Sequence, residues 1–220
     1  MIAAVENGRW VWGLGDPSPG AIFVTVFYFV VALLCGFVTR RRWQVTRDFG
    51  PQYDGKTGNR FWVLLTLLLV LLGINKQADL QSLVTLFGRD ILRDMGLYEN
   101  RREIQTLFIG VVVLIGALGV LVFLWQIRKS SWWSYLAVLG VAVQVVFIVI
   151  RATSFHHIDR LLGVRIQELN SIKFNLVLES TGLTLMLVAA LGELLQLRGR
   201  RVSAVNEVSE FDDGFEDFIT

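Results

Sequence analysis

The chain's two histidines are adjacent, His156 and His157, in a segment that also carries Arg151, Ser154 and Asp159. Histidine titrates near neutral pH and its neutral ring ligates metals, so proton transfer or metal binding is the first chemistry to consider here. On a helix, Arg151, Ser154 and His157 form one stripe. Thr153, His156 and Asp159 form a second, about 100° away. His156 and Asp159, joined by Glu179 or Asp79 from neighbouring segments, would offer nitrogen and oxygen ligands, and a metal held there would activate water for hydrolysis. Adjacent histidines on a regular helix cannot both face one ion. There is no His-x-x-x-His pair, and Cys35 is the one cysteine. The catalytic candidates are His156, His157, Asp159, Glu179 and Ser154, with metal and cofactor left open.

Other polar residues gather at the same level of the sequence pattern. Asn75 and Asp79 are four apart and share a helix face, and Lys76 can pair with Asp79 three residues on. Arg101 and Gln105 share a face, with Arg102 beside them, and Asn175 stands four residues before Glu179. The ligand-binding candidates are thus Asn75, Lys76, Asp79, Arg101, Arg102, Gln105, Arg151 and Asn175. All of them fall at one end of four long apolar segments. Ionisable groups at membrane depth are costly, so they mark either function or specific pairing. Three readings follow. The first is a structural cap in which Arg151, Asp159, Glu179, Lys76 and Asp79 balance one another. The second is a ligand or substrate site without metal, and the third a metal-dependent hydrolytic site.

The elements that position these residues are read from hydropathy. The chain has 220 residues, 54% of them hydrophobic, and a mean hydropathy of +0.55. Apolar runs at residues 21–39, 60–77, 104–127, 132–152 and 174–197 each approach the ~20 residues that a helix needs to cross ~30 Å of hydrocarbon. Backbone groups in lipid must pair within the segment, and no run alternates as barrel strands do. The expected fold is an all-α membrane protein: a bundle of five transmembrane helices plus an interfacial amphipathic helix. That sixth helix is expected between spans two and three, where Leu80, Leu83, Val84, Phe87, Ile91 and Met95 recur at helical spacing opposite Arg89, Asp90, Arg93 and Asp94.

Three regions follow: an N-terminal segment at 1–20, the five-span domain at 21–197, and an acidic tail at 198–220. The first lacks the pattern of a signal peptide, and its Trp10 and Trp12 suit a membrane interface. Arg40, Arg41 and Arg42 close the first span. With Arg128, Lys129, Arg198, Arg200 and Arg201 they set the orientation, the N-terminus outside and the C-terminus in the cytoplasm. The tail carries Glu207, Glu210, Asp212, Asp213, Glu216 and Asp217, a composition that favours disorder. Phe211, Phe215 and Phe218, interleaved at helical spacing, suit a partner's groove. Gln144, in mid-span, is expected to hydrogen-bond across the bundle. Glu193 is expected to pair locally with Arg198. The pairs Ala32 and Gly36, and Gly116 and Gly119, would allow close helix approach. A net charge of +2 with this apolar load does not suit a nucleic-acid binder, and no nucleotide loop or nucleophile elbow is present.

The blocks GINKQADLQ from Gly73 to Gln81, Tyr98 with Arg101, Arg102 and Gln105, RATSFHHID from Arg151 to Asp159, and Asn175 with Glu179 resemble the signature of an uncharacterised family of small bacterial multi-pass inner-membrane proteins. The resemblance covers spans two to five and implies a helical bundle in the bacterial inner (cytoplasmic) membrane, with no activity attached. A fainter likeness, through Ser, His and Asp at helix ends, is to membrane-embedded metal hydrolases of the ceramidase type, which have more spans and a third histidine. The functional expectation is an integral membrane accessory or structural subunit with an outer-face polar cap and a cytoplasmic acidic tail. Its partners would be membrane lipid, a membrane complex, and a cytoplasmic protein for residues 202–220. The alternative is a membrane-embedded enzyme or small-ligand binder acting at the outer polar cluster.

Overall fold

Ser18 and Pro19 start the first helix. The Ser18 hydroxyl accepts the Ala21 N–H at 3.3 Å and Pro19 occupies the first turn, where a missing N–H costs nothing. The computed structural model describes residues 5–6, 9–10, 18–50, 56–78, 101–128, 130–153 and 174–216. Within them five helices follow one another: α1 Pro19–Phe49, α2 Lys56–Ala78, α3 Arg101–Ile127, α4 Trp132–Thr153 and α5 Phe174–Glu216. Two short strands precede them, β1 Val5–Glu6 and β2 Arg9–Trp10, paired antiparallel with Val5 opposite Trp10. The amphipathic helix expected at 80–95 lies outside the described residues.

Each of the five helices is long and apolar enough to cross a membrane, over Pro19–Asp48, Asn59–Ala78, Thr106–Ile127, Trp132–Arg151 and Leu176–Arg200. The five-helix bundle expected from hydropathy is therefore present. Large apolar side chains such as Phe23, Leu33, Leu67, Leu71, Leu114, Leu121 and Leu139 are exposed on its outside. An apolar exterior of this kind suits lipid. Hydroxyls inside the spans are satisfied locally: Thr25, Thr39, Thr66, Thr181 and Thr184 each donate to the carbonyl four residues earlier. This bond is the cheapest way to bury a hydroxyl in lipid.

The principal packing runs α3–α2–α1–α5–α4 and back to α3, a ring in which each helix touches two neighbours. α3 is the least embedded, with 6% of its span buried against 44% for α1 and α5. Thr25 and Ala32 are buried beside the main α1 stripe, which is Ala21, Val24, Tyr28, Val31, Cys35, Val38, Arg42 and Val45. They alternate spacings of three and four, the period of a left-handed coiled-coil seam. On α5, Glu179, Leu183, Met186, Ala190, Glu193 and Leu197 repeat the same rhythm.

Glycines let two helices meet closely on the other side of α5. A Cβ at Gly140 would lie 2.7 Å from Met186 Cγ and 2.8 Å from the Gly182 carbonyl oxygen. One at Gly182 would lie 3.0 Å from the Gly140 carbonyl and from Gln144 Cγ. The α4–α5 crossing is thus backbone on backbone. Of the glycines expected to serve this way, Gly116 closely faces Val145 and Gly36 lies in ordinary contact with Thr66, but Gly119 faces open space among the described residues.

α1 does not stop at the arginine cluster. It continues to Phe49, ten residues past the expected end at 39, and Gly50 caps it at φ 90° with its N–H on the Thr46 carbonyl at 3.0 Å. α5 likewise runs through the acidic tail to Glu216, where composition argues for disorder. Once a helix is nucleated in the membrane, each added residue costs little, and no proline interrupts residues 198–216.

Candidate functional site

Among the described residues, the buried charged side chains fall into two groups, both on the α1–α5 seam, while Thr25, Gln126 and Ser134 are buried outside them. The first surrounds Glu179, 2% exposed, near the start of α5. Lys76 Nζ, from the last turn of α2, donates to Glu179 Oε2 at 2.7 Å. The Tyr28 hydroxyl of α1 donates to Glu179 Oε1 at 3.2 Å. Gln144 of α4 spends both of its amide protons here, donating to the Tyr28 hydroxyl at 3.0 Å and to the Glu179 carbonyl at 3.3 Å. The Arg151 guanidinium, two turns further along α4, lies within electrostatic reach of Tyr28. One network therefore ties α1, α2, α4 and α5 together.

Each member has a reason to be there. A phenol and an amide in mid-span must find partners, because lipid offers none. A carboxylate at this depth needs a cation and donors on its oxygens, and Glu179 has one of each. Lys76 sits at the helix end with its side chain 16% exposed, so its stem crosses apolar surface while its head reaches inward. The network leaves one position open: Gln144 Oε1 is buried and has no hydrogen-bond partner among the described residues.

The second group lies fourteen residues further along both helices. Arg42 Nη1 donates to Glu193 Oε1 at 2.9 Å, with side chains 3% and 2% exposed. The Ser131 hydroxyl, just before α4, donates to Glu193 Oε2. Two corrections follow. The three arginines do not close the first span together: Arg40 and Arg41 are exposed, but Arg42 occupies a seam position two heptads below Tyr28 and turns inward. Glu193 pairs with Arg42 and not with exposed Arg198, since the seam brings α1 closer than its own next turn. Buried charge is consequently present at both ends of the bundle, where the pattern of intramembrane polar residues suggests one end.

Of the sequence candidates, the structure joins Lys76 to Glu179 and sets Arg151 near the same network, with Asn75 half-buried beside Lys76. The expected pairing partner of Lys76, Asp79, lies outside the described residues, as do Ser154, His156, His157 and Asp159. Arg101, Arg102 and Gln105 lie on the first turns of α3, and Asn175 on the first turn of α5, with only their backbone described. Among the described residues no three His, Cys, Asp or Glu side chains gather as a metal site. Gln144 hydrogen-bonds across the bundle as expected. Sequence reasoning passed over Tyr28 and Ser131, and it placed Arg42 only in the cluster that closes the first span. A hydroxyl at mid-span and a fourteen-residue offset between acids on α5 and polar residues on α1 were the available signals.

Chemically, the first group can hold a charge and relay hydrogen bonds among four helices; the second can clamp α1, α5 and the α3–α4 turn. No protein-family model, curated protein or solved structure matches this chain.

Proposed function

We propose that the chain is an accessory or structural subunit of a membrane complex in the bacterial inner membrane. Its N-terminus lies outside, its C-terminus in the cytoplasm, and its acidic C-terminal segment engages a cytoplasmic partner. The observation that carries this reading is the mutual satisfaction of the buried charges: Lys76 with Glu179, and Arg42 with Glu193, each helix to helix. Charges consumed in this way lock a scaffold together. They are not held available for a substrate. The second support is α5, whose 43 residues reach about 64 Å at 1.5 Å per residue, twice what a bilayer needs. The excess projects from the end that carries Arg40, Arg41, Arg128, Arg198 and Arg200, the end that the positive-inside rule assigns to the cytoplasm. The likeness of the 73–81 and 151–159 blocks to a bacterial inner-membrane family supports the compartment.

The test is truncation after Arg201 in the native host. The accessory reading expects the bundle to remain in the membrane at normal abundance while a stoichiometric complex and the associated phenotype are lost. Retention of both would overturn it.

One observation favours a second reading, a small-ligand or enzymatic site at the same network. Among the described residues Gln144 Oε1, beside Tyr28 and Glu179, is a buried acceptor with no hydrogen-bond partner, and such an acceptor calls for a donor. A lipid hydroxyl or amine co-purifying at this position, or a metal held by His156 and Asp159, would support it.

A further inference from the structure

The α1–α5 contact is parallel and in register: Tyr28 with Glu179 and Arg42 with Glu193 share one sequence offset, 151 residues. At that offset the last residue of α1, Phe49, stands level with Arg200, so α5 outlasts its neighbour from there to Glu216. The face that α5 buries in the bundle does not end at that level. At 100° per residue, Leu183, Met186, Ala190, Glu193 and Leu197 share a face that continues as Ala204, Val208, Phe211 and Phe215. The extension therefore prolongs a helix-packing face beyond the helix that covers it.

Charge decides what can cover it. Residues 202–216 hold Glu207, Glu210, Asp212, Asp213 and Glu216 and no lysine or arginine. With Val208 and Phe215 at a, and Ala204 and Phe211 at d, Glu207 takes g and Asp212 takes e. Two copies of this chain in one membrane run parallel, and a parallel pair sets each g residue against the e residue five positions on in its partner. Self-pairing would put Glu207 against Asp212 of the second copy, twice over. The same carboxylates are repelled by an anionic inner leaflet.

We propose that residues 202–216 form a docking helix for a basic amphipathic helix of a cytoplasmic partner protein. That helix seats apolar residues against Val208, Phe211 and Phe215 and places Lys or Arg against Glu207 and Asp212. The proposal rests on the cytoplasmic, accessory reading of the chain, and it adds the partner's chemistry and the exclusion of a second copy.

The test uses the full chain in phospholipid nanodiscs and two synthetic three-heptad helices, identical except for Lys or Glu at every e and g position. The Lys helix is expected to bind at least about tenfold more tightly than the Glu helix, with binding weakened by salt. Phe211→Ala with Phe215→Ala should abolish binding of both. Glu207→Lys with Asp212→Lys should reverse the preference, and Glu210→Lys with Asp213→Lys, the same change in net charge on other faces, should preserve it. Equal binding of the two helices, or an equal shift from both charge variants, would overturn the proposal. So would efficient disulfide cross-linking between copies carrying Val208→Cys. Truncation separates this result from the accessory reading. Loss of phenotype on truncation without Lys-helix preference sinks the docking chemistry alone; Lys-helix preference without phenotype on truncation sinks the accessory role alone.

Discussion

Lys76 reaches Glu179 at 2.7 Å across the interior of the helix ring, from the last turn of α2 to the second turn of α5, with Tyr28 of α1 on the other carboxylate oxygen. The pair joins helices that are not neighbours in the ring, so its removal is felt by the bundle as a whole. Glu179→Gln leaves a largely buried ammonium without its counter-charge. Breaking one half of a buried pair costs about 3–5 kcal/mol, and Lys76 lies near enough to the helix end to recover part of that by turning outward. Glu179→Gln should therefore lower the melting temperature in detergent toward the small end of that range, and Lys76→Met combined with it should restore most of the loss. A double variant no better than the single would show that the pair is not the source of the effect.

Arg42 and Glu193 should behave more severely. Both are nearly inaccessible, and neither lies at the end of its helix. Arg42→Met strands a carboxylate whose remaining partner among the described residues is the Ser131 hydroxyl, and the full ~3–5 kcal/mol is expected. Arg42→Met with Glu193→Leu should come within about 1–2 kcal/mol of the parent, because well-packed apolar pairs replace buried ion pairs at little net cost. Arg198→Ala, at the exposed site, should be silent. A double-mutant cycle on thermal unfolding measures the coupling, and coupling near zero would remove the clamp from the account of stability.

Two glycine substitutions separate close packing from helix propensity. Gly140→Ala drives a methyl group into the Gly182 carbonyl and Met186, 2.8 and 2.7 Å away. Backbone cannot retreat as a side chain can, so a loss of about 1–3 kcal/mol is expected. Gly119→Ala meets nothing within 4 Å and should be neutral or stabilising by up to about 1 kcal/mol, the propensity difference between the two residues. Equal effects in a thermal shift assay would contradict the backbone-on-backbone crossing of α4 and α5.

The five helices were legible because apolar run length is nearly sufficient to define a membrane span; the ends expected at 60–77 and 132–152 match α2 and α4 within a few residues. Helix ends beyond the apolar run were less legible, since hydropathy marks where lipid stops and not where hydrogen bonding stops. That is why α1 passes Arg42 and α5 passes Leu197. Glu179 and Gln144 stood out because a lone polar residue in an apolar run must find a partner. Lys76 was already among the residues expected to balance Glu179, but Tyr28 did not stand out, because the α1–α5 register is set by packing of the whole seam. Arg42 was misread for the same reason: three consecutive arginines present three faces, and only the ring arrangement determines which one turns inward.

Topology is checked with single cysteines introduced at Gly8 and Ser209 after replacement of Cys35, which is buried. With five spans, the two ends lie on opposite sides. An impermeant thiol reagent applied to intact cells should label Gly8→Cys and spare Ser209→Cys until the cells are opened. The reverse pattern would invert the orientation and move the docking helix outside. Labelling at both would require an even number of spans.

The remaining question is whether the polar end near Glu179 performs chemistry, and His156 and His157 are the residues that decide it. If they only complete a hydrogen-bonded cap, Asn in either place keeps part of the bonding, and phenotype should fall in step with the amount of folded protein. If one is a general base or a ligand, phenotype should vanish at normal abundance, since proton transfer by a placed side chain contributes about 10²–10⁴-fold. His156→Asn and His157→Asn should be measured in parallel for detergent-extracted folded protein and for phenotype in the native host. The accessory reading expects matched, partial losses. Its physical basis is that Glu179, the one catalytic candidate whose side chain is placed, already has both oxygens engaged by Lys76 and Tyr28. A general base needs a free lone pair directed at its substrate. Full abundance with lost phenotype in either variant would show that the histidines, and not Glu179, carry a reaction and would replace the accessory reading with the enzymatic one.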